Sequence, residues 1–208
     1  MSWRGIGIGI VAVAACFGQQ YEMGAAAGGG FARNATLAGA AGSAAAGLGT
    51  GEVFGGWIAH GMYSRISGEV RYSYMRQDLQ LSGGSAKFQG EAHAMHYDVL
   101  FHAAKSRAKV QPFVAVGGGF KLYRGTGTEA AYQPLSNFGY LTKTMEWKPM
   151  ISAGGGVRVA LTGHVFLRME FRDYITPFPS KVITPAPGVK ASGWLHDIVP
   201  LAGIGVGF

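Results

Sequence analysis

A chain of 208 residues is long enough for one domain. With 48% apolar and 14% charged residues it is too greasy for a disordered polymer, and past its N-terminus it has no run of ~20 apolar residues able to span a membrane as a helix. The net charge of +7 comes from cations scattered along the chain, with no basic stripe interleaved with aromatics, so a nucleic-acid partner is not expected.

The first segment reads as an export signal over residues 1–18. Arg4 supplies the positive end, Ile6 to Phe17 is an unbroken apolar run, and Gly18 is a plausible cleavage point before Gln19. Val13-Ala14-Ala15-Cys16 also resembles a bacterial lipoprotein signal, in which the cysteine would be acylated. Cys16 is the single cysteine, so no intramolecular disulfide can form.

From there the chain reads as strands. Glycine is 35 of 208 residues against a usual ~7%, and aromatics are spread throughout, which suits β-structure better than a helical bundle. Eight segments of strand length are expected near 20–31, 51–60, 66–78, 87–101, 110–123, 145–160, 164–175 and 195–208. Their connections alternate in length. Residues 32–50, 79–86, 124–144 and 176–194 are long, whereas 61–65, 102–109 and 161–163 are short. Membrane barrels of bacteria sort their loops in this way, and a soluble sandwich has no reason to.

A period of two assigns most faces. In the third segment Ile66, Val70, Tyr72 and Tyr74 oppose Glu69, Arg71 and Ser73. In the fifth, Val114, Val116, Phe120 and Leu122 oppose Gln111, Ala115 and Lys121. In the sixth, Trp147, Ile151 and Val157 oppose Glu146, Lys148, Ser152 and Arg158. In the seventh, Val165, Leu167, Met169 and Phe171 oppose Arg168, Glu170 and Arg172. The last carries Ile198, Pro200, Ala202, Ile204, Val206 and Phe208 against Gly203, Gly205 and Gly207. The second segment (Val53, Phe54, Trp57, Ile58) is apolar on both faces and stays unassigned.

Mixed-sign charges among Gly, Ala and Ser fit the inside of a narrow barrel, where opposite charges pair across the axis. Glu69, Arg71, Asp98, Lys121, Arg158, Arg168, Glu170 and Arg172 are therefore expected to form one lumen network. The triplets Gly28–Gly30, Gly117–Gly119 and Gly154–Gly156 are expected to leave room for the long side chains. A narrow water pore lined by the same charges, and an exported soluble barrel with the faces reversed, are the alternatives. Pro112, Pro149 and Pro200 fall inside expected strands and should mark strand ends or bulges. Residues 35–49 are unusually apolar for an outer loop and are read as loop or strand extension.

The signal, the eight strands, the loop asymmetry and the terminal Phe208 together resemble the small outer-membrane β-barrel proteins of Gram-negative bacteria, such as the transmembrane domain of outer membrane protein A. The resemblance implies an all-β fold, an eight-stranded antiparallel up-and-down transmembrane β-barrel over residues 19–208. It also implies outer-membrane lipids, including lipopolysaccharide, as surroundings. A barrel-assembly machinery would read the last strand through Ile204, Val206 and Phe208.

Little points to chemistry. Gly125-x-Gly127 is too short for a phosphate loop, and no two histidines of one strand have ligand spacing, so no metal and no cofactor are expected. Ser192, His196 and Asp197 invite comparison with a lipid-A-modifying hydrolase, but adjacent strand residues point apart, so His196 and Asp197 cannot form a base–orienter pair. No catalytic residue is expected. The function read from the chain is structural or surface-interacting. The long segments 124–144 and 176–194 would supply a partner surface through Tyr132, Phe138, Tyr140 and Trp194.

Overall fold

The computed structural model describes residues 21–104 and 108–208. The expected export signal and Cys16 lie outside the described residues. Eight long strands form a closed wall: β1 (Tyr21–Arg33), β4 (Gly51–Tyr63), β5 (Ile66–Arg76), β8 (Gly90–His102), β9 (Val110–Gly125), β11 (Met145–Ala160), β12 (Val165–Pro177) and β15 (Trp194–Gly207). Each pairs antiparallel with its sequence neighbour in the wall, and β15 closes on β1. Closure leaves no edge with unpaired backbone groups, the condition for a sheet to stand in hydrocarbon.

The register sets the shape. Traced from Met23 through Ile58, Val70, Tyr97, Gly118, Ile151, Ile175 and His196, it returns to β1 at Arg33, ten residues further on. With eight strands that stagger corresponds to a tilt of about 40°.

The wall is apolar outside and charged inside. Val114, Phe120, Ile151, Met169, Phe171 and Ile204 are exposed, whereas Glu69, Arg71, Asp98, Lys121, Arg168 and Arg172 are buried. The soluble-barrel alternative required the reverse. Between the lower aromatics (Tyr63, Phe101, Phe208) and the first outward charges (Asp173, Arg76, Glu91), the outer face covers about eight to ten residues per strand. At ~3.3 Å per residue and this tilt, the belt is about 20–25 Å tall, the height of a bilayer's apolar band. Polar atoms within or bordering it pair with each other: His60 with the Tyr97 hydroxyl at 3.1 Å, and His93 with the Tyr72 hydroxyl at 2.7 Å.

The second segment, ambiguous in sequence, resolves in β4. Val53, Trp57 and Ala59 turn inward, and Phe54 and Ile58 turn outward. The three prolines sit where one neighbouring ladder stops. Pro112 is one residue beyond the last β8–β9 pair, His102–Phe113. Pro149 is two beyond the last β11–β12 pair, Ile151–Ile175. Pro200 faces the gap in the β1–β15 ladder between the pairs Gly28–Leu201 and Phe31–Ile198. A residue without an N–H costs the sheet least where there is no acceptor to serve.

The long connections carry strands of their own. β2 (Ala35–Gly39), β3 (Gly42–Leu48), β6 (Leu79–Leu81), β7 (Ala86–Phe88) and β14 (Lys190–Ser192) form a five-stranded sheet in the order β14-β2-β3-β6-β7. β10 (Gly139–Leu141) pairs with β13 (Ile183–Pro185). Residues 35–49 are thus a hairpin rather than a loose loop. Their apolar composition is explained by one buried face, made of Ala35, Leu37, Ala44, Ala46 and Leu48.

Candidate functional site: a charged lumen under an apolar cap

The lumen is filled by inward side chains of alternate residues. Its middle level is a cluster of three arginines and three carboxylates. Arg71, on β5, donates to Glu69 at 2.9 Å and lies 2.6 Å from Glu170, on β12. Arg168 also bridges Glu69 and Glu170, the latter at 3.0 Å. Arg172 reaches Glu69 at 3.3 Å, Glu170 at 3.1 Å and Asp98 on β8. Formal charge is balanced among these six side chains, and further polar groups secure the cluster. His96 contacts Asp98 at 3.0 Å, and the Tyr174 hydroxyl lies between Ser73 at 3.3 Å and His96 at 3.4 Å. Trp57 receives Arg71 and Arg168 against its ring, at 5.2 and 4.9 Å from the centroid. Charges removed from water in this way persist only when paired and hydrogen-bonded, and here each of the six charged side chains has at least two partners, although Arg71 Nη1 and Arg168 Nε make no hydrogen bond.

The eight residues expected as one network do not form one. Lys121 and Arg158 find partners outside the cluster. Above the cluster, Lys121 donates to Asp197 at 2.7 Å, and Gln77 donates to the same carboxylate at 3.0 Å. Below it, Arg158 pairs with Glu22 at 3.1 Å and stacks on Phe166 at 4.0 Å. Among the described residues no ion pair joins either of these pairs to the six charges of the middle cluster, although Arg158 is the cross-strand partner of Arg168.

The glycines expected to leave volume do so at two triplets. A Cβ on Gly154 would stand 2.9 Å from Arg172 Cδ and 2.2 Å from the Phe171 carbonyl oxygen, and one on Gly117 would meet Asp98 Oδ1 at 2.3 Å. At Gly28–Gly30 the neighbours differ. The Pro200 carbonyl oxygen is 2.0 Å from the Cβ position of Gly28, and Gln77 is 2.6 Å from that of Gly30. The run there serves the ladder gap and Gln77, with no arginine beside it. Gly154→Ala should lower the unfolding free energy by about 1–3 kcal/mol, the usual cost of overpacking, read as a shift of the urea midpoint for folded protein in bilayers.

An apolar cap lies over this lumen. Leu37, Leu48, Leu79, Leu81, Leu141 and Ile183 are buried in one cluster that continues down to Met75, Tyr123 and Leu195 inside the barrel. Gly139 approaches Leu37 closely, its Cβ position being 3.1 Å from the leucine, so the two loop sheets pack together. Of the expected loop contacts, Tyr132, Tyr140 and Trp194 are exposed. Phe138 is half-buried and packs against the cap cluster, as do Leu135 and Val189.

Ser192, His196 and Asp197 are dispersed. Asp197 turns inward to Lys121, His196 turns outward to Asp173 at 2.9 Å, and the Ser192 hydroxyl lies 3.4 Å from the Thr36 carbonyl. Among the described residues, no group of three or more His, Cys, Asp or Glu side chains is placed to hold a metal ion. Two site members, Tyr174 and His96, escaped the sequence reading. They share the inward parity of the charges beside them, as do Ser73 and Ser152, which that reading placed on the charged face, and the parity is the signal that identifies them.

No family model matches the chain, and no curated protein matches it by sequence. Solved structures do. Neisserial surface protein A superposes with a TM-score of 0.53 at 16% identity, over 91% of this chain and 98% of that one. A major outer membrane protein from Thermus thermophilus gives 0.51 at 13%, over 91% and 99%. The N-terminal β-barrel domain of Pseudomonas aeruginosa OprF gives 0.50 at 13%, over 91% and 97%. At these identities the likeness is one of architecture, and the chain has the closed eight-stranded antiparallel barrel fold of these proteins.

Proposed function

We propose that this chain is an integral barrel of the outer membrane of a Gram-negative bacterium, with a structural or surface-interacting role and no catalysis. The observation that carries the reading is the orientation of the wall, with exposed Val114, Phe120, Met169 and Phe171 against buried Glu69, Arg71, Arg168 and Arg172. Only a solvent of hydrocarbon favours that arrangement. The partner surface is formed by residues 124–144 and 176–194, which β10 and β13 tie into one body and which present Tyr132 and Tyr140. Ile204 and Val206 lie on the outward face of the last strand and Phe208 is exposed just past its end, where an assembly machinery can read them.

The neutralised middle cluster and the leucine-lined cap together favour a closed lumen over a pore. Purified protein in a planar bilayer should therefore give no steady single-channel current, and ohmic steps in every insertion would reverse this reading. The membrane assignment is tested by fractionation with a folding-sensitive gel. Protein in the outer-membrane fraction whose mobility changes on heating supports it, and protein soluble without detergent defeats it. The dispersal of Ser192, His196 and Asp197 leaves the lipid-A hydrolase reading without a nucleophile–base pair.

A further inference from the structure

The rim on the long-loop side holds a polar concavity of about 420 Å³. Glu52 at the start of β4, Tyr74 and Arg76 at the end of β5 and Glu91 at the start of β8 form its wall. Thr50, Asp78, Gln89 and Thr126 reach it from the connections. The backbones meet closely there. A Cβ on Gly51 would stand 1.9 Å from the Arg76 carbonyl oxygen, and one on Gly90 would stand 2.8 Å from that of Gln77. Main-chain bonds pin the sides, from Gly49 N–H to the Asp78 carbonyl at 2.7 Å and from Thr126 N–H to the Gln89 carbonyl at 2.8 Å.

Six side chains of the lining, Thr50, Glu52, Arg76, Asp78, Gln89 and Thr126, form no hydrogen bond or ion pair among the described residues. Glu52 and Arg76 face each other across the β4–β5 ladder and still do not pair. Tyr74 is held in place, its hydroxyl donating to Glu91 at 3.1 Å, and Glu91 also receives Arg124 at 3.1 Å.

The lining selects the ligand. Glu52, Asp78 and Glu91 against the single lining cation Arg76 repel an anion. Arg76 in turn opposes a metal ion, and among the described residues no three His, Cys, Asp or Glu side chains converge on one. An alkyl chain would strip water from these polar groups and return nothing. A neutral molecule that both donates and accepts fits. Each hydroxyl of a sugar does both. It can donate to Glu52 or Asp78 and accept from Arg76 or Gln89, while the Tyr74 ring covers the C–H face of the sugar.

We propose that this concavity binds a hexose unit of a glycan, with Glu52 and Asp78 accepting from its hydroxyls and Arg76 and Gln89 donating to them. The inference rests on the membrane reading above, which puts this rim outside the cell. It goes further by naming a site centred on residues 50–52, 74–78 and 89–91. The hexose has two sources, the lipopolysaccharide of the same membrane and a glycan of another cell, and the test separates them.

Wild type is folded into phosphatidylcholine nanodiscs, with folding shown by heat-modifiable gel mobility. It is titrated with two probes and followed by saturation-transfer NMR. One probe is the core oligosaccharide released from lipopolysaccharide and stripped of phosphate. The other is a neutral galactose-terminated tetrasaccharide. Wild type should bind at least one, and the probe that binds names the source. Binding of both supports a site for hexoses of either origin. Glu52→Ala and Asp78→Ala should each weaken binding about tenfold, as expected for loss of a hydrogen bond to a charged group. Thr126→Trp, which fills the concavity without changing its charge, should abolish binding. Lys190→Ala, on β14 at the opposite edge of the loop sheet, should leave it unchanged. No binding of either probe by wild type, or binding that Glu52→Ala, Asp78→Ala and Thr126→Trp leave intact, overturns the site while the membrane reading stands. Failure of the wild type to insert overturns the membrane reading and the site together.

Discussion

Replacing Arg172 by alanine is expected to lower the unfolding free energy of the barrel by about 3–5 kcal/mol, the cost of leaving buried carboxylates without their cation. Arg172 is fully buried and touches Glu69, Glu170 and Asp98, so its removal leaves Glu69 and Glu170 to Arg71 and Arg168, and Asp98 with no arginine, only His96 and Ser152. The contrast is Arg124, whose side chain is 56% exposed and pairs with Glu91 at 3.1 Å at the rim. Arg124→Ala should cost less than about 1 kcal/mol, as exposed pairs do. Urea titration of both variants in phosphatidylcholine vesicles, followed by tryptophan fluorescence, gives the two numbers. A loss for Arg172→Ala no larger than that for Arg124→Ala would mean that water enters the lumen and screens the cluster.

The second large effect lies on the other face. Met169 is exposed in the middle of the belt, flanked on β12 by Leu167 and Phe171. Met169→Arg places a charge in hydrocarbon and should cost about 2–4 kcal/mol in a bilayer, whereas Met145→Arg, at the outer end of β11, should cost about 0–1 kcal/mol. Stability is again read by urea titration in vesicles. The depth dependence is the discriminating quantity. Equal costs at the two positions would show that the outer face does not meet a bilayer with Met169 near its middle.

Much of this architecture was legible because a two-residue period is a strong signal when one face is charged. Arg168, Glu170 and Arg172 fix the inside of β12, and the same parity carries to Tyr174 and Thr176, buried on that face. β4 was illegible for the opposite reason. Its inside is lined by Val53 and Trp57 and its outside by Phe54 and Ile58, so alternation carries no contrast. Trp57 is inside because two arginines need a π-face, a demand made by β5 and β12 and invisible in the sequence of β4. The division of the charges into three groups depends on which side chains meet across the lumen, which follows from the register of the whole wall and not from any one strand. The paired strands in the outer segments were missed because three-residue strands such as Leu79–Leu81 and Ile183–Pro185 are too short to show a period.

The middle cluster also bears on how such a wall can enter a bilayer. Glu69 and Arg71 lie on β5, but Arg168, Glu170 and Arg172 lie on β12, with three strands between them around the cylinder and a sequence separation of 99 from Glu69 to Arg168. Each half pairs some of its own charges, Glu69 with Arg71 and Glu170 with Arg172, but Glu69, Arg71 and Asp98 leave one carboxylate over and Arg168, Glu170 and Arg172 leave one cation over, so a half crossing alone would drag an unpaired ion through oil. Translocation and rolling-up of the sheet must therefore proceed together, with the polar side kept in water until the last strand meets the first.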